Sequence, residues 1–94
     1  MTKKDEFIKK IEQLDSHLEV KKYHNLYDHD YNKVDMVVWY TTDVDAEMLI
    51  SFTYNCGIPV IETEQTRFNP DEFDLYIKVA KLCADYFQFL FDED

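Results

Sequence analysis

The densest group of potential metal ligands is the segment YDHDYNKVD, in which a D-x-D-x-N pattern begins at Asp28. Oxygen ligands at such alternate positions converge on the ion in helix–loop–helix calcium sites. The remainder of that motif is missing, because Lys33 stands where the loop needs glycine and Trp39 where it needs a bidentate glutamate. Asp and Asn side chains also accept hydrogen bonds from their own backbone in turns, so we interpret this segment as a solvated turn.

Histidine and cysteine are the other residue types that could bind a metal, and the chain contains His17, His24, His29, Cys56 and Cys83. Structural zinc sites pair their ligands at C-x2-C or H-x3-H spacings, and no two of these residues are paired in that way. With a single glycine, the chain also lacks a glycine-rich phosphate loop. We therefore expect no metal and no cofactor.

Two arrangements of residues could support catalysis. Cys56 could act as a nucleophile, but a thiolate requires a nearby base or a positive field, and the surrounding sequence is acidic. Glu62 and Glu64 could share acid–base work, but both are predicted to lie on an open strand face without a pocket to shift a pKa. Cys83 falls within a predicted apolar helix and is expected to be packed. We therefore predict that the protein is not an enzyme.

Charge is distributed unevenly along the chain, which has 20 acidic and 10 basic residues and a formal net charge of -10. Residues 1–33 are neutral, with seven lysines and seven acids. Residues 34–94 carry thirteen acids against Arg67, Lys78 and Lys81. A field of one sign repels nucleic acid and anionic lipid and attracts basic surfaces. We expect no direct binding to nucleic acid or membrane, and we predict a basic protein partner.

Acidic residues cluster where turns and the ends of elements are predicted. The residues that we predict to contact a partner are Asp43, Asp45, Glu47, Glu62, Glu64, Asp71, Glu72 and Asp74. Carboxylates spaced on a rigid scaffold can imitate a phosphate track, as in the small, acidic, glycine-poor inhibitors of phage or bacterial origin that mimic nucleic acid. No motif identifies a family here. The predicted function is an inhibitor or regulator that docks on the basic surface of a nucleic-acid-binding protein, such as a nuclease.

Two alternatives to a charge-mimicking inhibitor are compatible with the sequence. Charge far from zero keeps a small protein soluble without any partner, and this alternative stays open. The other alternative is a structural or assembly protein that forms a homodimer through the apolar side of its C-terminal helix.

Two helices are predicted, one near each end of the chain. Apolar residues recur on one side of residues 3–17, which follow a weak capping pair. Asn69 followed by Pro70 predicts the start of a second helix over residues 70–91, because Asn is a favoured N-cap and Pro suits the first helical position. This second helix is apolar around most of its circumference and must be covered on more than one side.

Four strands are predicted between the helices, over residues 18–26, 34–42, 46–54 and 58–66. The first is expected to be a short edge strand, because its adjacent lysines discourage further pairing. The side chains of the third strand are expected to alternate between the two faces of the sheet, which would direct Leu49 away from the core.

A two-residue turn at Cys56 and Gly57 is predicted to join the last two strands. This turn pairs Ser51 with Glu62 and keeps Glu62 out of the core, whereas a three-residue loop would bury that carboxylate. Pro59 has no amide hydrogen to donate, which predicts that the fourth strand lies at an edge of the sheet.

The predicted fold class is α+β, in a single domain over residues 1–94. The architecture is a two-layer sandwich in the order α-β-β-β-β-α, with an antiparallel four-stranded meander and both helices on one face. No segment is apolar and long enough to span a membrane, and the start MTKKDEFIKK is too charged for a signal peptide. A cytoplasmic location is therefore expected.

Overall fold

A computed structural model describes residues 2–63 and 68–92. Its elements follow in the order α1 (Lys3–Leu14), β1 (Leu18–Tyr27), β2 (Lys33–Thr41), β3 (Ala46–Asn55), β4 (Ile58–Glu62) and α2 (Pro70–Asp92). The strands form one antiparallel sheet in the order β1-β2-β3-β4. Both helices pack into one core on one face of this sheet. The predicted α+β sandwich with a meander sheet is confirmed.

Helix α1 begins with a capping box. Thr2 Oγ1 accepts a hydrogen bond from the backbone N–H of Asp5 at 3.1 Å, and the Asp5 carboxylate accepts one from the Thr2 N–H at 3.4 Å. The helix ends at Leu14, so the predicted end at His17 is wrong. Asp15 Oδ1 accepts a hydrogen bond from the His17 N–H at 2.8 Å, and such a turn competes with the helical backbone bonds.

Helix α2 begins where the sequence predicts. Asn69 Oδ1 accepts a hydrogen bond from the Glu72 N–H at 2.9 Å, and the Glu72 carboxylate accepts one from the Asn69 N–H at 3.4 Å. Pro70 occupies the first helical position, where its missing N–H costs nothing. These reciprocal bonds satisfy two backbone donors and fix the direction in which the first turn of α2 presents its acids.

The hairpin between β3 and β4 has the predicted register. Cys56 and Gly57 both have positive φ, 52° and 82°, as a tight two-residue turn between twisted strands requires. Ser51 pairs with Glu62, which confirms the two-residue loop. Strand β4 lies at the edge of the sheet, as Pro59 predicts. Strand β1 is also an edge strand, but it has ten residues rather than being short.

Aromatic rings join the two helices to the sheet. Phe7 of α1 stacks on Tyr86 of α2 with 4.7 Å between the ring centroids. Phe52 of β3 meets both rings edge-on, at 5.5 Å and 5.6 Å. Burying three such rings together stabilises the fold more than their buried apolar area alone would, because edge-to-face and offset ring pairs add a favourable interaction to the hydrophobic effect. The core therefore fixes α1 and α2 relative to β3.

A β-bulge in β3 breaks the predicted alternation. Val38 pairs with Ile50 and Trp39 pairs with Met48, so Leu49 is an extra residue on β3. A bulge bends its strand and redirects side chains, and Leu49 and Ile50 both belong to the core, with 6% and 4% of their surfaces exposed. The prediction that Leu49 faces away from the core is wrong.

The opposite face of the sheet carries Val37, Ser51 and Thr53, which are nevertheless buried. Trp39 Nε1 on β2 donates a hydrogen bond to the hydroxyl of Tyr23 on β1 at 3.2 Å. Among the described residues, Thr53 Oγ1 is the one buried side-chain polar atom without a hydrogen-bond partner. Within the described part of the chain, no helix is both long and apolar enough to cross a membrane.

Candidate binding cleft

A cleft of about 310 Å³ opens where the end of α1, the sheet and the first turn of α2 meet. Four carboxylates line it: Asp15, Glu47, Asp71 and Glu72. They come from three separate parts of the chain. Asp15 directly follows α1, Glu47 lies on β3 opposite Tyr40 of β2, and the other two belong to the first turn of α2. The fold therefore gathers negative charge that is dispersed in the sequence.

Aromatic rings form the apolar part of the cleft wall. Phe68 packs on Tyr76 with 4.8 Å between the ring centroids, and the Tyr76 hydroxyl donates a hydrogen bond to Thr63 Oγ1 at 3.1 Å. Tyr40 also lines the cleft, and the ring of His17 stacks on it at 5.2 Å. Each of these rings therefore contacts at least one neighbouring side chain.

Asp15 is the carboxylate whose ionisation the surroundings favour most clearly. Its Oδ1 atom accepts a hydrogen bond from the His17 backbone N–H and lies 2.8 Å from His17 Nδ1. These bonds, the backbone bond first, hold the pKa of Asp15 below its ordinary value. Asp15 therefore stays negative at neutral pH and adds a fixed charge at the edge of the cleft.

The combination of carboxylates and aromatic faces suits a cation with an apolar stem. A lysine or arginine side chain fits this description, because its charged end can bond to carboxylates while its methylene groups and its charge contact rings. The helix dipole of α2 places a partial positive charge at the same end, but Asp71 and Glu72 more than offset it. The electrostatic sign of the cleft is therefore negative.

In the described part of residues 34–94, two carboxylates form ion pairs with lysines. Asp35 pairs with Lys4 at 2.9 Å, and Asp74 pairs with Lys78 at 3.1 Å. None of the four cleft carboxylates lies within ion-pair distance of a described lysine, and only Asp15 has a histidine neighbour. The described lysines near the N-terminus therefore form no ion pair with the cleft carboxylates.

The structure divides the predicted contact residues into separate groups. Glu47, Asp71 and Glu72 line the cleft, and Asp15 joins them without having been predicted. The predicted residues that do not line it are Asp43 and Asp45 in the turn before β3, Glu62 on β4 and Asp74 on α2. Glu62 pairs with Ser51, which faces away from the helices, so it lies on the opposite side of the sheet. Glu64 lies outside the described residues.

Asp15 was not predicted as a cleft residue, and only its local sequence carries a signal of its position. In Asp-Ser-His, the aspartate can accept the N–H of the residue two positions later and so end a helix. This signal predicts the turn at the end of α1, but it does not predict that the turn lies beside α2.

The D-x-D-x-N segment forms the expected turn. Asp28 Oδ1 accepts hydrogen bonds from the N–H groups of Asp30 and Asn32, both at 2.9 Å. These bonds, the Asn32 bond first, lower the pKa of Asp28. Its carboxylate thus accepts hydrogen bonds from the backbone of its own turn, which confirms the interpretation of this segment as a turn. Among the described residues, no group of three or more His, Cys, Asp or Glu is arranged to hold a metal ion.

The two thiols lie apart from the cleft. Cys56 is exposed in the β3–β4 turn, whereas Cys83 is buried in the core. Burial raises the pKa of the Cys83 thiol to about 12, because the charged thiolate loses its hydration.

Comparison with protein-family models, with curated protein sequences and with solved structures found no significant match.

Proposed function

We propose that this chain is a small, non-enzymatic binding protein that docks on a basic protein surface and receives a lysine or arginine side chain in its cleft. The observation that carries the proposal is the convergence of Asp15, Glu47, Asp71 and Glu72 beside three aromatic rings. A basic side chain of the partner supplies the charge that these carboxylates lack. Its stem packs against the rings, so the contact combines charge with apolar burial.

The overall charge supports docking at longer range. A net charge of -10 on a chain of this size produces a field that orients a basic partner before contact. The cleft then acts as the anchor, because a contact that is partly shielded from water binds more strongly than one on the open surface. Steering and anchoring are separate contributions, and they can be measured separately.

The proposed partner class is a nucleic-acid-binding protein, whose groove for phosphates is basic. Carboxylates on a rigid scaffold can occupy such a groove and exclude nucleic acid, so the chain acts as an inhibitor or regulator. A cytoplasmic location, where such targets are abundant, is part of this proposal. No residue is assigned a catalytic role, because neither Cys56 nor Glu62 lines the cleft.

The test is binding to a fluorescent oligoarginine peptide, with an oligocitrulline peptide of equal length as the uncharged probe. We compare two double variants that remove the same charge. Glu47→Gln with Asp71→Asn changes the cleft, and Glu62→Gln with Asp92→Asn changes positions outside it. The unmodified protein is expected to bind oligoarginine and not oligocitrulline.

The two double variants decide whether the cleft is the anchor. A contact to a charged group contributes roughly 1.5–3 kcal/mol, so the cleft variant is expected to bind oligoarginine at least tenfold more weakly. The matched variant is expected to lose only the general attraction, a factor of about two or three. Equal losses in the two variants would show that no anchor exists and would refute the proposal for the cleft.

A further inference from the structure

The ten-residue strand β1 lies at an edge of the sheet, so one side of its backbone faces no other strand. Along an antiparallel edge, every second residue directs its N–H and C=O groups to the neighbouring strand. His17, just before β1, accepts a hydrogen bond from the Thr41 N–H at 2.8 Å. By this alternation, Leu18 and Val20 direct their N–H groups away from β2. A row of outward groups is a template on which a strand of another chain can pair.

The end of α1 occupies the two outward N–H groups at the start of β1. The Leu18 N–H donates a hydrogen bond to the Asp15 carbonyl oxygen at 3.2 Å, and the Val20 N–H donates one to the Glu12 carboxylate at 3.2 Å. The first bond belongs to the turn that joins α1 to β1. The second connects two elements, because Glu12 lies in α1, eight residues before Val20. Glu12 therefore takes the position that a carbonyl oxygen of an added strand would occupy.

The later part of β1 is irregular. Its pairing with β2 shifts between Lys22 and Leu26, where three residues of β1 oppose Asp35 alone. Asn25 in this bulge has a φ of 61°, in the left-handed region. A bulge twists the edge and interrupts the row of outward groups, which hinders pairing with a straight strand. The regular stretch from Leu18 to Lys22 is therefore the part of β1 that an added strand could use.

The opposite edge of the sheet is protected in a different way. A two-residue turn joins a hydrogen-bonded pair, here Asn55 with Ile58, so the next residue, Pro59, directs its backbone away from β3. Proline has no N–H to donate, and β4 has only five residues. The covalent structure thus protects β4, whereas the protection of β1 depends on a side-chain contact that a substitution can remove.

We infer that Glu12 blocks strand addition at the β1 edge. By accepting the hydrogen bond of the Val20 N–H, its carboxylate prevents β1 from pairing with the β1 strand of a second copy. A second copy is the strand that is blocked, because two identical edges can pair antiparallel about a two-fold axis and offer the same groups to each other. The inference does not depend on the proposed function, since Glu12 does not line the cleft.

Amide hydrogen exchange tests the contact itself. Glu12→Ala removes the acceptor and keeps a good helix former, so it is expected to speed exchange of the Val20 N–H about tenfold. Gln13→Ala, on the exposed surface of α1, is the matched control and should change that rate less than about twofold. Glu12→Gln removes the same charge but retains an acceptor oxygen, and it is expected to restore most of the protection. The amides of the central strand β3 report global opening and should exchange equally in all variants.

Sedimentation velocity tests the consequence for assembly. The unmodified protein, Gln13→Ala and Glu12→Gln are expected to be monomeric up to about 100 μM, whereas Glu12→Ala is expected to dimerise over this range. Adding Lys22→Pro to Glu12→Ala should restore the monomer, because Lys22 is exposed and proline removes its outward N–H.

Three results would overturn the inference. The first is a Val20 N–H that exchanges equally fast in Glu12→Ala and in the unmodified protein. The second is Glu12→Ala that stays monomeric up to about 100 μM, or that associates no more strongly than the unmodified protein. The third is a Glu12→Ala dimer that Lys22→Pro does not weaken, which would mean that the copies join at another surface. Oligoarginine binding enters none of these measurements, so failure of the proposed function would leave them unchanged.

Discussion

Lys4 Nζ lies 3.0 Å and 2.9 Å from the two carboxylate oxygens of Asp35, which ties the first turn of α1 to strand β2. A β-bulge makes this contact possible. Val34 pairs with Thr53 and Met36 with Phe52, so Asp35 is the extra residue on β2. The ion pair neutralises one acid of residues 34–94, and the cleft carboxylates keep their charge.

We predict that Lys4→Met lowers the free energy of unfolding by roughly 1 kcal/mol, because this ion pair is partly shielded and makes two hydrogen bonds. Lys3→Met is the matched control. Lys3 lies 3.8 Å from Glu6 on an exposed surface, where an ion pair contributes little. Urea unfolding measures both variants. Equal effects of the two substitutions would show that the Lys4–Asp35 contact has no particular role.

Thr53→Val is expected to stabilise the protein by about 1 kcal/mol. Thr53 is 2% exposed, and its hydroxyl has no hydrogen-bond partner among the described residues. Replacing that hydroxyl with a methyl group keeps the shape and removes the cost of burying a polar atom. Thr53→Ser is the control, because it keeps the hydroxyl and loses a methyl group. A melting temperature that falls for Thr53→Val would contradict this explanation.

The two thiols are expected to react at very different rates. An aromatic disulfide reagent should modify Cys56 rapidly in the folded protein, because that residue is exposed. Cys83 is buried and its pKa is raised to about 12, so it should react only when the chain unfolds. Titration should therefore count one thiol in native buffer and two in denaturant. Rapid reaction of both thiols in native buffer would mean that the core around Cys83 opens readily.

Stability is expected to fall in acid because Asp15 and Asp28 have pKa values below the ordinary 3.8 when the chain is folded. A depressed pKa contributes stability that is fully present above the unfolded-state value and is lost as the pH falls through the folded-state value. Asp15→Asn should make the loss below about pH 4 less steep. Asp43→Asn is the control, since Asp43 makes no hydrogen bond or ion pair with a described residue. If the free energy of unfolding fell equally steeply below about pH 4 in Asp15→Asn and in the unmodified protein, the role given to Asp15 would be contradicted.

Local signals in the sequence predict much of the fold. The start of α2 follows from Asn69 and Pro70, whose effects act within one helical turn. The hairpin register follows from Cys56 and Gly57, because turn length sets the pairing of antiparallel strands. The meander then follows from short connections between successive strands. These features depend on neighbours in the chain, so they can be inferred before any tertiary contact is known.

Features that depend on tertiary packing could not be predicted in this way. The bulges at Asp35 and Leu49 insert one residue each, and the alternation of side chains gives no sign of where an insertion occurs. Asp15 at the end of α1 and Asp71 on α2 line the same cleft, an arrangement set by how the helices pack on the sheet. Glu47, Asp71 and Glu72 were predicted as contact residues from charge alone, without the cavity that unites them.

We propose that Asp15 and the carboxylates of residues 34–94 bind basic partners electrostatically. The most direct test of this central claim is the dissociation constant for oligoarginine between about 10 mM and about 1 M ionic strength, over which the Debye length falls from roughly 30 Å to 3 Å. We predict a steep and continuous loss of affinity, with oligocitrulline showing no binding at any salt concentration. A dissociation constant that stays constant across this range, or equal binding of the two peptides, would contradict the claim.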